Sequence, residues 1–276
     1  MTTVISSPNR DEGRLAPIRL IVIHTMEVPE TNSVAEAVGK AFAVPARRAS
    51  AHIGVDTDST VRYVADDDTA WATPGANADG LQIELAGRAG QNARQWDDVP
   101  SRAILERAAQ QVAIWCRAYG IPVRWLTDVQ LADGKSRGII GHADASRVFK
   151  RSDHTDPGRA FPRASFLARV KSLAGGAVTG TPRRALKAPT TRIRLRVDGV
   201  FGSRTKARLQ QWAGVKVDSV LGINDWKAVQ RKVGVTADGR PGPQTYRAIQ
   251  RRVGVKADGV LGPVTIRALQ AYLNRS

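Results

Sequence analysis

Four histidines occur in this 276-residue chain, His24, His52, His142 and His154, and three of them fall where a strand ends or a loop begins. His24 closes an apolar run at 18–23, His142 follows Ile139-Ile140-Gly141, and His154 lies in Ser152-Asp153-His154-Thr155-Asp156-Pro157-Gly158. A side chain at a strand end is held by rigid backbone yet opens onto a cleft, which suits a metal site. Two imidazoles and one carboxylate make an ordinary catalytic zinc set that leaves a fourth position for water, and His24, His142 and Asp156 are the trio that fits. They form no local motif, so a hydrogen-bonded histidine without a metal stays the alternative at each position. Glu84 adds a further group. It stands between Ile83 and Leu85, where an ionised carboxylate is costly unless partnered. A Glu beside a metal-bound water is suited to act as general base. Its alternative is a solvent-facing strand residue.

These side chains need a rigid frame, and the hydrophobic pattern supplies one. Residues 18–23 read as a buried strand. Residues 33–43 read as a helix, with Ser33 as N-cap and Glu36 at capping-box spacing. Strands are predicted near 51–55 and 60–64, around the turn-like Asp56-Thr57-Asp58-Ser59. Leu81-Gln82-Ile83-Glu84-Leu85 alternates as a strand with one wet face would. The longest helix is predicted over 100–119, with Pro at its start and Gly120 just past its end. A strand near 137–141 and a helix near 163–173 complete the region. That order predicts an α/β fold, a mixed central β-sheet flanked by helices, over 1–174. The single cysteine, Cys116, shares a face of the long helix with Leu105, Ala108, Val112 and Tyr119 and reads as an inert core thiol. One cysteine excludes an intrachain disulfide and a Cys-based zinc finger.

The charge is unevenly placed. The chain carries a net +17, and residues 181–276 hold 20 Lys and Arg against five Asp and Glu, a net of +15. A near-neutral working domain is therefore joined to a module attracted to a polyanion. Between them, the Gly-rich and Pro-containing stretch at 175–195 reads as a linker. Beyond it, residues 196–276 form an internal repeat. Asp198, Asp218, Asp238 and Asp258 are 20 residues apart, as are Gly202, Gly222, Gly242 and Gly262, and Gln210, Gln230, Gln250 and Gln270. Each unit reads as a turn, a turn glycine and about ten residues of helix, too short to be stable alone. Stacked copies could bury one shared core, giving a small all-α repeat domain. No run of about 18 apolar residues predicts a membrane-spanning helix. The N-terminal residues lack the apolar h-region of a secretory signal peptide.

The combination Ile21-Val22-Ile23-His24-Thr25, Ser50-Ala51-His52, Leu81-Gln82-Ile83-Glu84-Leu85, Gly141-His142-Ala143-Asp144 and Thr155-Asp156-Pro157-Gly158 resembles the type 2 N-acetylmuramoyl-L-alanine amidases, the zinc amidases related to the peptidoglycan recognition proteins. The resemblance runs over about residues 15–173, with five pieces in register. It implies that His24, His142 and Asp156 ligate one Zn2+ and that Glu84 is the catalytic base. His154 stands where the family usually has a lysine that stabilises the tetrahedral intermediate, so it takes that role with a titratable ring. Ala72 stands where many relatives have a histidine. His52 matches a common histidine that is not a ligand, and Asp144 is expected to orient the His142 loop from the outer shell.

The repeats resemble small peptidoglycan-binding modules of pattern Asp-Gly-x-x-Gly-x-x-Thr-x-x-Ala-Leu-Gln, best at Asp258 to Gln270. The resemblance makes Asp198, Asp218, Asp238, Asp258, Trp212, Trp226 and Tyr246 candidates for wall contact.

The implied activity is zinc-dependent cleavage of the amide between N-acetylmuramic acid and L-alanine in bacterial peptidoglycan. A wall hydrolase with an appended wall-binding module and no leader looks like a bacteriophage endolysin, held in the host cytoplasm until a holin opens the membrane. Peptidoglycan is the expected partner, with anionic wall polymers beside it. A monomer is expected, without nucleic acid and without stable membrane insertion. Two other classes remain in view. A non-enzymatic peptidoglycan-binding protein is disfavoured because all three ligand types and the Glu are present. A nucleic-acid-binding protein would grip phosphates through the basic segment and its few aromatics.

Overall fold

The computed structural model describes residues 3–175, 193–215, 217 and 221–276. The chain divides into two compact units, Met1–Ala188 and Pro189–Ser276. Most of the linker expected at 175–195 lies outside the described residues, as does Asp218.

The first unit is framed by a sheet in the order β1 (Thr3–Val4), β5 (Thr60–Arg62), β4 (Ile53–Val55), β7 (Gly80–Leu85), β3 (Leu20–Thr25), β8 (Gly138–Gly141). β4, β7, β3 and β8 run parallel, while β5 is antiparallel to β4 and carries β1 beside it. A separate antiparallel pair joins β2 (Arg10–Asp11) to β6 (Thr69–Ala70). Central parallel strands are covered on both faces and so read as unbroken apolar runs, which is why 18–23 is legible as a strand. Ile21, Ile23, Leu81, Ile83 and Leu85 join the core with Ile104, Val112 and Trp115 of α2 (Val99–Tyr119) and Phe166 and Val170 of α5 (Arg163–Gly175). Leu20 and Val22 pack instead with Leu126, with Leu131 of α3 (Asp128–Ala132), and with Ala145 of α4 (His142–Phe149). α1 (Val34–Phe42) sets Phe42 against Tyr63 and Val61.

Helix ends show where local sequence decides and where it does not. At α2, the Asp98 carboxylate accepts from the Ser101 N–H at 2.9 Å, and Gly120 at φ +62 sends its N–H to the Cys116 carbonyl. Cys116 is buried in the core, and burial pushes its thiol pKa up to about 12. At α1 the expected capping box is absent. Ser33 sits at φ +61 and its hydroxyl makes no cap bond. The Ala35 N–H goes instead to Asp56 Oδ2 at 2.9 Å, while Asp56 Oδ1 accepts from the N–H groups of Asp58 and Ser59. A carboxylate at a helix N-terminus also meets the positive end of the helix dipole, so the tertiary partner displaces the local serine.

The second unit contains α6 (Ser203–Ala213), α7 (Ile223–Val233), α8 (Pro243–Val253) and α9 (Pro263–Arg275). Their shared core uses one repeat position, Leu209, Val229, Ile249 and Leu269. Each helix packs on the next, and α9 packs back on α6. The repeated glutamines explain how. Gln250 accepts the Gly259 N–H on Oε1 at 2.8 Å, and its Nε2 donates to Asp258 Oδ1, the Val260 carbonyl and Thr265 Oγ1 at 2.6–2.9 Å. Gln230 makes the same set with Asp238, Gly239, Arg240 and Thr245. Gln270, in the last repeat, makes it with Asp198, Gly199, Val200 and Thr205 of the first. The array is thus a closed ring.

The same bonds give several candidates for wall contact a structural part. Asp198, Asp238 and Asp258 hold the turns: each Oδ1 accepts both a glutamine Nε2–H and the backbone N–H two residues on. Trp226, 8% exposed, is a core side chain, with Tyr246 against it at 6.4 Å between ring centroids. Trp212 packs edge-on against Tyr272, with Lys232 and Arg252 over its ring.

Candidate metal centre

Parallel pairing sets His24 and Glu84 side by side, as register partners at the C-terminal ends of β3 and β7. Parallel sheets bind ligands in the crevice beyond those ends. His142 is the first residue of α4, directly after β8. Asp156 arrives on a loop whose backbone is tied down, its carbonyl accepting the Ala143 N–H at 2.8 Å. Two residues on, Gly158 at φ +92 passes the Ala89 backbone so closely that a Cβ there would lie 1.9 Å from the Ala89 carbonyl oxygen. Only glycine combines that φ with that approach.

The result brings three buried donors together. His24 Nδ1 is 3.0 Å from Asp156 Oδ2, His142 Nδ1 is 3.5 Å from Asp156 Oδ1, and the candidate ligand atoms of the three residues lie within 4.8 Å of one another. The far nitrogens are held from behind. His24 Nε2 is 2.9 Å from Gln82 Oε1 and 3.1 Å from Thr73 Oγ1, and His142 Nε2 is 3.2 Å from Ser152 Oγ. Two imidazole nitrogens and a carboxylate, all turned to one point and backed by hydrogen bonds, fit a divalent ion such as zinc. His154 stacks on His142 at 4.1 Å, with Nδ1 3.3 Å from Asp156 Oδ1 and its side chain 58% exposed. A cleft of about 710 Å³ opens over the trio, lined also by Glu84, His154, Trp71 and Arg47.

Electrostatics follow from this crowding. Burial alone would lower the pKa of His24, but the nearby Glu84 and Asp156 carboxylates outweigh it and raise the value to about 9. Burial pushes the Glu84 carboxyl up to about 7, against the pull of His24 and with the help of Asp156 and Glu27. His142 is lowered to about 4, chiefly by burial. Burial would raise Asp156, yet hydrogen bonds from His142 and His24 hold it well below the ordinary carboxylate range. A carboxyl poised near neutrality in a cleft is the form expected of a general base.

A family comparison extends the geometry: the family of N-acetylmuramoyl-L-alanine amidases matches residues 14–159, more than half of the chain. The chain belongs to that family. Its enzyme class is therefore amidase, and the family's substrate is peptidoglycan. Among solved structures it is similar to the Staphylococcus aureus hydrolase AmiA in complex with its ligand, at 14% identity and TM-score 0.49 over 63% of this chain and 83% of that one. It is also similar to PlyL, at 14% identity and TM-score 0.46 over 64% and 99%. The amidase LysC from Clostridium intestinale URNW follows at 12% identity and TM-score 0.38 over 62% and 99%. No curated protein matches the sequence.

The other predicted residues take different places. His52 stands outside the trio. Its Nδ1 accepts the Gln82 N–H at 3.0 Å, so the ring proton is on Nε2, 3.2 Å from the Asp68 carbonyl. Burial and the neighbouring Arg14 lower its pKa to about 3, and it is a neutral structural side chain. Asp144 accepts from the Gly141 N–H at 2.8 Å and from Trp125 Nε1 at 2.7 Å. It thus holds the start of α4 by backbone, whereas the His142 ring meets Ser152. The polar face expected to be wet on 81–85 is so only at Glu84, which opens onto the cleft, whereas Gln82 is 0% exposed. Gln82, Thr73 and Ser152 escaped the sequence reading, although a polar residue in an otherwise apolar central strand was a visible sign for Gln82.

Proposed function

We propose that the chain is a zinc-dependent amidase that hydrolyses the bond between the lactyl group of N-acetylmuramic acid and L-alanine, and that its basic repeat unit retains it on the wall, as in an endolysin acting after holin-mediated release. The observation that carries the reading is the meeting of one ring nitrogen each from His24 and His142 with the Asp156 carboxylate, all within 4.8 Å, beneath a cleft that also holds Glu84. These three groups would hold the metal. When bound, zinc would polarise the scissile carbonyl and lower the pKa of a water.

Glu84, with its pKa near 7, takes the proton of the attacking water and passes it to the departing alanine nitrogen. A carboxyl balanced between its two forms can do both, which is the requirement for one residue acting as base and then acid. His154, at the rim of the cleft, donates an N–H to the oxyanion that develops on the carbonyl. The test is a turbidity assay on purified walls with and without chelator, paired with mass spectrometry of the products. Clearing that stops with chelator and returns with zinc, giving free lactyl groups and new alanine N-termini, is expected. Clearing that is indifferent to chelator, or products cut at a glycosidic bond, would overturn the proposal.

A further inference from the structure

Gln82 is the residue that stands behind His24, and its environment is over-determined. Its Nε2 donates to the Ala76 carbonyl at 3.1 Å, which fixes the orientation of the amide and leaves Oε1 facing His24. Thr73 Oγ1 donates to the same Oε1 at 2.8 Å. His24 Nε2 therefore faces an acceptor and keeps its proton, and Nδ1, turned toward Asp156 and His142, is the nitrogen that would give up its proton to a metal. The amide itself is anchored from the neighbouring strand. The His52 N–H donates to the Gln82 carbonyl at 3.0 Å, and His52 Nδ1 receives the Gln82 N–H at 3.0 Å. One buried histidine thus clasps Gln82 by both backbone groups, and Gln82 clasps the histidine that reaches into the site.

We propose that Gln82 is a positioning residue of the metal centre, fixing the tautomer and ring orientation of His24 so that Nδ1 is ready to bind, with His52 as its buttress. This rests on the metal-centre reading given above. A neutral amide does here what a carboxylate or a backbone carbonyl does behind many metal-bound histidines, and loss of such a partner typically weakens metal binding 10–100-fold.

The experiment is a zinc titration of the full chain against a chromophoric chelator, for the wild type and Gln82→Met, with the Co2+ absorption spectrum and the thermal midpoint of the metal-free protein measured alongside. The wild type is expected to bind one zinc. Gln82→Met is expected to bind about 10–100-fold more weakly with an altered Co2+ spectrum, at a metal-free midpoint close to that of the wild type. Equal affinity and identical spectra would overturn the positioning role while leaving the metal centre intact. A wild type that binds no zinc would overturn the metal centre itself and this role with it. Should Gln82→Met fail to fold, Gln82→Asn withdraws the carbonyl by one methylene while keeping the side chain polar. Weaker binding then supports the role, and unchanged binding overturns it.

Discussion

Gln82 and Gln250 are both fully buried amides, one in each unit, and they end in different company. Around Gln250 every contact is filled by the next repeat: a backbone N–H, a backbone carbonyl, a threonine hydroxyl and an aspartate. The polar groups there complete one another and leave nothing over. Around Gln82 the chain of bonds runs on to His24 and then stops at a point shared with Asp156 and His142. Three potential ligand groups converge where one would satisfy the hydrogen bonding. Buried polarity that closes on itself makes structure, and buried polarity that converges on an open cleft makes a site. The same residue types, Gln, Asp and Thr, serve both purposes, so composition alone does not separate them.

The largest effects should fall where that difference is sharpest. Glu84→Ala and His142→Ala are each expected to lower wall hydrolysis by roughly 10²–10⁴-fold, with metal content kept in the first and lost in the second. Asp258→Ala, which opens a turn, should leave turnover of a soluble muropeptide unchanged. Rate assays beside metal analysis check this, and an Asp258→Ala rate as low as that of Glu84→Ala would erase the distinction between the two regions.

Next in size is the core of the ring. Ile249→Ala removes a buried side chain from a repeat position at which all four helices share a core. A loss of about 2–5 kcal/mol in the unfolding of the repeat unit is expected, with slower clearing of intact walls and normal turnover of the soluble substrate. Denaturant unfolding, followed by the tryptophans of that unit, reads it.

Closure of the ring gives a sharper test. In an open array the last glutamine would have no following turn to hold, and Gln270→Ala would be nearly silent. In the closed ring Gln270 holds the first turn as Gln250 holds the fourth. Gln270→Ala and Gln250→Ala should therefore cost alike, about 1–3 kcal/mol each, the penalty for buried groups left unpaired. A silent Gln270→Ala would mean that the ends are not joined.

Much of the frame was legible because it rests on local rules. The run at 18–23, the Pro and Gly that bound α2 and the 20-residue spacing of the repeats each follow from side-chain pattern or turn chemistry. His24, His142, Asp156 and Glu84 were legible as candidates because strand ends and a carboxylate in an apolar run are unusual places for such side chains. What escaped needed tertiary information. The cap on α1 comes from Asp56, outside that helix. The backing of His24 by Gln82 and Thr73 depends on which strand lies beside β3, and the closure of the ring on a contact between residues 198 and 270. The aspartates of the repeats show the complementary case. Their spacing is regular because the turns repeat, and a turn residue that accepts a glutamine amide looks, in sequence, like a repeated ligand.

The smallest expected effect concerns His52, which binds no metal in this arrangement but holds the strand that positions one ligand. Its folded-state pKa is about 3, below the 6.5 of an ordinary histidine, because burial and Arg14 disfavour the charged ring. In the unfolded chain His52 takes up a proton as the pH falls below about 6.5, while in the folded chain it stays neutral down to about 3. The unfolded state thus binds more protons across that window, and acid favours it. The contribution is present in full above pH 6.5 and is lost as the pH drops, by about 2 kcal/mol between pH 7 and pH 5. His52→Gln cannot titrate, so its stability should fall less than that of the wild type by that amount over the same interval. Paired denaturant curves at the two pH values check the difference, in which the other titrating groups largely cancel. Parallel losses in the two proteins would mean that the ring is not held neutral, and the clasp on Gln82 through an unprotonated Nδ1 would fail with it.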